Sequence, residues 1–169
     1  MRLFIAIRLS DEIKSGLAEI QSFLRNRGVS GTFTKLENLH MTLAFIGEYA
    51  VPEDVLDAMR GVPFEPFSIW LDGFGSFGDL YWCGIEEQEA LSAYVKRLRR
   101  ALAENGIPFD RKKFSPHITL IRKASFDKNR GFPGVTVPDA SMEADRVSLM
   151  RSDRTKSGMV CTEIGQIFS

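Results

Sequence analysis

Apolar and polar positions recur along this chain with two periods, one near two residues and one near 3.6, and the switches between them mark out its elements. Residues 2–9, RLFIAIRL, form a short apolar run rich in strand formers. Ser10 with Asp11 and Glu12 then supplies a helix N-cap and an acidic first turn. Ile13, Leu17, Ile20 and Leu24 follow at helical spacing up to Gly28, which is placed to end the helix. Residues 40–47 predict a strand, and Pro52 with Glu53 and Asp54 opens a second helix ending near Gly61. Two strand candidates, PFSIWLD and LYWCGI, flank the glycine-rich segment GFGSFGD, and together they read as a hairpin. Residues 88–104 predict a helix ended by Asn105-Gly106, with Leu91, Val95, Leu98 and Leu102 on one face. Lys96, Arg97, Arg99 and Arg100 fall largely on its other face. A strand over 115–122 precedes a polar loop from Lys123 to Gly134, and strands near 142–150 and 159–168, joined by SDRTKSG, make a second hairpin.

Length and composition fit this reading. With 169 residues, 44% hydrophobic and 26% charged, the chain has enough apolar material for a substantial core, and residues 1–169 are expected to form a single, two-lobed domain. Its apolar runs stop well short of the ~18 residues a membrane-spanning helix needs. Met1 to Ser10 lacks the apolar stretch and small-residue cleavage site of a signal peptide, so a cytoplasmic location is expected. Cys83 and Cys161 stand far apart in apolar surroundings and read as small buried hydrophobes. Formal net charge is zero, which argues against coating of duplex nucleic acid by a large basic face. Residues 1–84 carry 7 Lys+Arg against 11 Asp+Glu, and residues 85–169 carry 15 against 11. A phosphate-bearing ligand is therefore expected to be drawn mainly to groups from the second half.

The chain has two histidines, in LHMTLAFIG (39–47) and PHITLIRKA (116–124), and both read His-x-Thr-Leu. With 7 threonines and 15 leucines available, this doubled context has a chance of about one in a hundred thousand. On a strand, His and Thr two positions apart share a face, so His40 and Thr42 turn outward while Met41, Leu43 and Phe45 turn to the core. His117 and Thr119 likewise turn outward, with Ile118 and Leu120 inward. One motif per half-chain suggests an internal duplication that sets the two strands side by side across a cleft. Two imidazoles facing one phosphorus suit in-line displacement, one taking a proton from water and the other protonating the departing oxygen. The threonine hydroxyls suit the non-bridging oxygens. No Asp, Glu or Cys stands at a ligand-like spacing beside the histidines, so neither a metal nor another cofactor is expected.

These motifs, with the opening RLFIAI, the segments LENLHMTLAFIGE and FSPHITLIR and the late strand VSLMRS, resemble the two-histidine phosphoesterase superfamily over nearly the whole chain. Within it, the resemblance is to the RNA 2',3'-cyclic phosphodiesterases of the LigT type. It implies an α+β, bilobal, pseudo-twofold fold in which antiparallel sheets line a central cleft and helices cover the outer faces. It also implies metal-independent hydrolysis of a 2',3'-cyclic phosphate to a 2'-phosphate. His40 maps to the family's proton donor, His117 to its acceptor, and Arg122 to its phosphate-binding arginine. Strict alternation would turn Arg122 away from His117, so that role requires the strand to end or bulge there. Phe4 could offer its ring to the terminal base, and it fits the core equally well. Arg8, where the family commonly has an acidic residue, and the basic run RKKF (111–114) depart from the pattern and bear on substrate preference.

The expected substrate is an RNA 3' end or a small cyclic nucleotide, with no membrane and no obligate protein partner. The alternatives share the motifs: an enzyme cleaving or joining 2'-5' linkages, or a non-catalytic module that binds RNA ends or nucleotides. Binding alone does not call for a matched acid and base, which favours an enzyme.

Overall fold

The computed structural model describes residues 1–132 and 134–168. Along the chain run β1 (Arg2–Arg8), α1 (Asp11–Asn26), β2 (Ser30–Phe33), β3 (His40–Glu48), α2 (Pro52–Arg60), β4 (Phe67–Phe77) and β5 (Leu80–Ile85). Then come α3 (Glu89–Glu104), β6 (His117–Ser125), β7 (Ser141–Ala144), β8 (Arg146–Thr155) and β9 (Gly158–Phe168). Two antiparallel sheets result, one ordered β3-β1-β8-β9 and the other β2-β6-β5-β4-β7.

The duplication read from the histidine motifs is visible in the connectivity. In β1-α1-β3 and again in β5-α3-β6 a strand leads into a helix and returns antiparallel beside itself, and the returning strand begins at the motif histidine. Each of these two helices covers the opposite sheet. α1 lies on the second one, where Gly16 permits the approach: a Cβ there would stand 3.2 Å from Leu71 Cδ1. α3 lies against β3, and α2 sets Leu56 against Gly165 of β9. Ile13, Leu17, Ile20 and Leu24 of α1 and Leu91, Val95, Leu98 and Leu102 of α3 are buried in one core with both sheets. Each such side chain contributes about 1.5–3 kcal/mol. The Ser10 hydroxyl accepts from Ile13 N at 3.3 Å, the cap expected from the sequence.

Three elements differ from expectation. The glycine-rich segment read as a turn is mostly strand: β4 continues to Phe77 and turns through two residues, Gly78 and Asp79. Its glycines serve close approach, because a side chain at Gly75 would strike the Trp82 ring of β5. The strand expected near 142–150 is two strands, β7 on the second sheet and β8 on the first, with the extended chain changing sheets at Asp145. β2, SGTF, was not anticipated, since its exposed edge carries no apolar alternation.

Candidate active site

β3 and β6 lie in contact where the two sheets meet, which brings the two motifs to one place. Met41 and Leu43 of β3 and Ile118 and Leu120 of β6 are buried, while His40, Thr42, His117 and Thr119 are half-buried on the cleft side. Both imidazoles are held alike: His40 Nδ1 lies 2.6 Å from Asn38 O, and His117 Nδ1 lies 2.6 Å from Ser115 O. A carbonyl only accepts, so Nδ1 carries the proton and Nε2 is left as the working atom in both rings. Asn38 is itself fixed, its amide donating to Met159 O at 2.8 Å and accepting from Cys161 N at 3.3 Å. His40 Nε2 meets Thr42 Oγ1 at 2.9 Å. His117 stands beside two aromatic rings, with Phe77 at 5.3 Å and Trp82 at 6.1 Å between centroids.

Both motif strands bulge at the same point. In β3, Ala6 faces Thr42 and Ile5 faces Ala44, so Leu43 is unpaired with β1; in β6, Trp82 faces Thr119 and Tyr81 faces Ile121, so Leu120 is unpaired with β5. An extra residue reverses the alternation beyond it. Ala44 and Ile121 therefore join the core, and Phe45 and Arg122, each five residues after its histidine, turn into the cleft. Phe45 corrects the expectation of a core-facing side chain, and the bulge supplies the orientation that Arg122 required. The parallel His-x-Thr-Leu-x-Phe and His-x-Thr-Leu-x-Arg was the signal that could have found Phe45. Lys123 follows with φ 54°, a left-handed backbone that places it too on the cleft wall.

The cleft encloses about 520 Å³. Among the described residues its walls carry the cations Arg2, Lys35, Arg122, Lys123 and Arg154 and no carboxylate. Arg2 and Lys35 come from the first half of the chain, so the basic character does not belong to the second half alone. His117 lies outside the enclosed part, while Thr119 and Arg122 of the same strand line it. Burial lowers the His40 pKa from its ordinary 6.5, opposed by the bond to Asn38 O, and the charges of Arg122 and His117 lower it further.

Phe4 lines the cleft but is only 4% exposed, its ring 4.7 Å from that of His40, so burial favours its core reading as a floor beneath the imidazole. Arg8 lies away from the cleft in a separate hollow, paired with Glu163 at 2.9 Å. Arg99, expected on an outer helix face, is half-buried and bonded to β3. Cys83 is buried, its thiol pKa pushed up to about 12 by burial, whereas Cys161 is half-buried on the cleft wall. Among the described residues no cluster of three His, Cys, Asp or Glu is placed to hold a metal, and no helix is long and apolar enough to cross a membrane.

Residues 9–156 match the 2'-5' RNA ligase superfamily. An RNA 2',3'-cyclic phosphodiesterase of Thermotoga maritima is 32% identical over 173 residues, covering 95% of this chain and 91% of the relative. One from Escherichia coli is 33% identical over 129 residues, covering 73% of each. Among solved structures, E. coli LigT in its apo form superposes with a TM-score of 0.81 at 26% identity, covering 99% of this chain and 96% of that one. LigT complexed with 3'-AMP gives 0.80 at the same identity, covering 99% and 97%.

Proposed function

The chain belongs to the 2'-5' RNA ligase superfamily, and from that premise we propose that it hydrolyses the 2',3'-cyclic phosphate of an RNA end or nucleoside to a 2'-phosphomonoester by paired histidine catalysis. The observation that supports this best is the matched anchoring of the two imidazoles, each held through Nδ1 by the carbonyl two residues before it, which leaves Nε2 of each ring as the atom for proton transfer. In the reaction a water oxygen bonds to phosphorus as the P–O3' bond breaks. His117 Nε2 takes the proton that water loses, and His40 Nε2 protonates O3' as it departs. Each turnover leaves His117 protonated and His40 neutral, and exchange with solvent resets both. Arg122 and the two threonine hydroxyls hold the non-bridging oxygens. The Thr42 hydroxyl meets His40 Nε2, so in the reaction the departing oxygen takes its place there and frees it for phosphate.

An acid must begin the cycle protonated, whereas His40 is held low in the free protein by burial and by the charges of Arg122 and His117. A phosphate monoanion seated beside His40 offsets the Arg122 charge, and substrate itself thereby favours the protonated form of His40. The nucleoside meets the half-buried ring of Phe45, over which the Arg2 guanidinium lies at 5.1 Å. No step calls on a metal. The test is hydrolysis of an RNA ending in a 2',3'-cyclic phosphate in excess chelator. Full activity with a 2'-phosphate product supports the reading; activity lost to the chelator and restored by a divalent ion contradicts it.

A further inference from the structure

Each of the two bulges is gripped by a polar side chain, and the two grips come from equivalent helices. At the β6 bulge the Leu120 carbonyl accepts from Thr34 N at 2.9 Å and from Gln21 Nε2 at 3.1 Å. The other Nε2 proton of Gln21 goes to Thr34 O at 2.9 Å. Gln21 lies on α1 and is 4% exposed, a polar residue in a face otherwise made of Leu17, Ile20 and Leu24. At the β3 bulge the Leu43 carbonyl accepts from Arg99 of α3, through Nε at 3.3 Å and Nη2 at 3.1 Å. Arg99 Nη1 donates to Lys112 O at 2.7 Å, and Asp110 N donates to Phe45 O at 2.8 Å. Arg99 thus ties the first motif to the segment that leads into His117.

Such placements have a cost. Burying an amide or a guanidinium is unfavourable unless it is bonded, and burial does disfavour the charged form of Arg99, against the pull of Asp110. Each donor bonds the carbonyl of the residue at which the alternation breaks just after the histidine motif, and that break turns the next-but-one side chain into the cleft. We infer that Gln21 and Arg99 are positioning residues of the reaction: Gln21 fixes the Leu120 bulge and so aims Arg122 at the phosphate, and Arg99 fixes the Leu43 bulge and so aims Phe45 at the nucleoside. The inference rests on the roles proposed above for Arg122 and Phe45.

The His40 imidazole, which feels the Arg122 charge, reports whether Arg122 stays in place. Its titration followed by NMR in the full chain should move upward in Arg122→Met, since a nearby cation is lost. Gln21→Met should move it in the same direction, and the double variant should go no further than Arg122→Met. The kcat/KM of Gln21→Met for a cyclic-phosphate RNA should fall about tenfold, the scale of small misplacements of a binding group, with unfolding still cooperative above the assay temperature. A wild-type titration in Gln21→Met, or a shift adding in full to that of Arg122→Met, overturns the assignment for Gln21. Arg122→Met with wild-type kinetics would instead sink its phosphate role, while the titration still decides whether Gln21 holds it. Arg99 provides an arm that does not depend on the folding of Gln21→Met. Arg99→Met should raise KM for a nucleoside 2',3'-cyclic phosphate several-fold with kcat little changed, Phe45→Ala should add nothing further, and Arg99→Lys should restore part of the loss. An unchanged KM in Arg99→Met overturns the assignment at that bulge.

Discussion

At the scale of single residues, His40 is the group whose surroundings differ most from water among those given a chemical role. Its folded pKa lies below its ordinary 6.5, so the folded protein resists protonation there more than the unfolded chain does. The stability this contributes is fully present above pH 6.5 and is lost as pH falls from that value through the folded pKa. Thermal unfolding followed from pH 7.5 down to 5 should show this loss, and His40→Gln should remove that part of it. An identical pH dependence in the variant would show that burial of His40 is not its source. Arg122 makes a contrasting case, since its side chain is exposed. Arg122→Ala should keep the wild-type melting temperature and lose about 1.5–3 kcal/mol of transition-state binding, roughly ten- to a hundred-fold in kcat/KM. Thr119→Ala, a neutral hydrogen bond, should lose about 1 kcal/mol. A kinetically silent Arg122→Ala would remove it from the site.

At the scale of elements, the site depends on strands that could not be packed this closely with ordinary side chains. Gly84 pairs with His117 in the register of β5 and β6, and a Cβ at Gly84 would strike the backbone carbonyl of Asp72 on β4. Gly84→Ala must therefore move β4 away from β5 and shift the strand that carries His117. A loss of about 1–3 kcal/mol in denaturant unfolding is expected, together with reduced turnover; an equally stable, equally active variant would show that β4 adjusts freely. The elements with a strong period were legible in advance: α1, α2, α3 and both motif strands begin and end close to where their caps, glycines and alternation put them. The rest was hidden for physical reasons. β2 is an exposed edge strand held by pairing to β6, so its own side chains carry no pattern. The change of sheet at Asp145 takes place in extended chain without a turn residue. The bulges are set by polar anchors about 56 and 99 residues away in sequence, so Phe45 was assigned to the core by an alternation that the folded strand breaks.

At the scale of the whole molecule, a chain of zero formal charge concentrates five cations and, among the described residues, no carboxylate on the walls of one cleft. Such a surface attracts polyanions locally without coating nucleic acid, and the attraction is screened by salt. The KM for an RNA oligonucleotide should therefore rise with salt more steeply than that for a nucleoside 2',3'-cyclic phosphate, by about 0.7 in the log-log slope for each additional phosphate engaged. Equal slopes would mean that only the terminal phosphate is held.

Two histidines with the same motif and the same Nδ1 anchor are proposed to do opposite jobs, His40 as acid and His117 as base. A leaving group that departs without a proton separates them. His40→Ala should lose on the order of two to four decades with a natural cyclic phosphate and recover much of that with a nitrophenyl phosphodiester that fits the cleft. His117→Ala should stay impaired on both, because water must be activated whatever leaves. Rescue of His117→Ala alone would contradict the account by showing the acid and the base reversed.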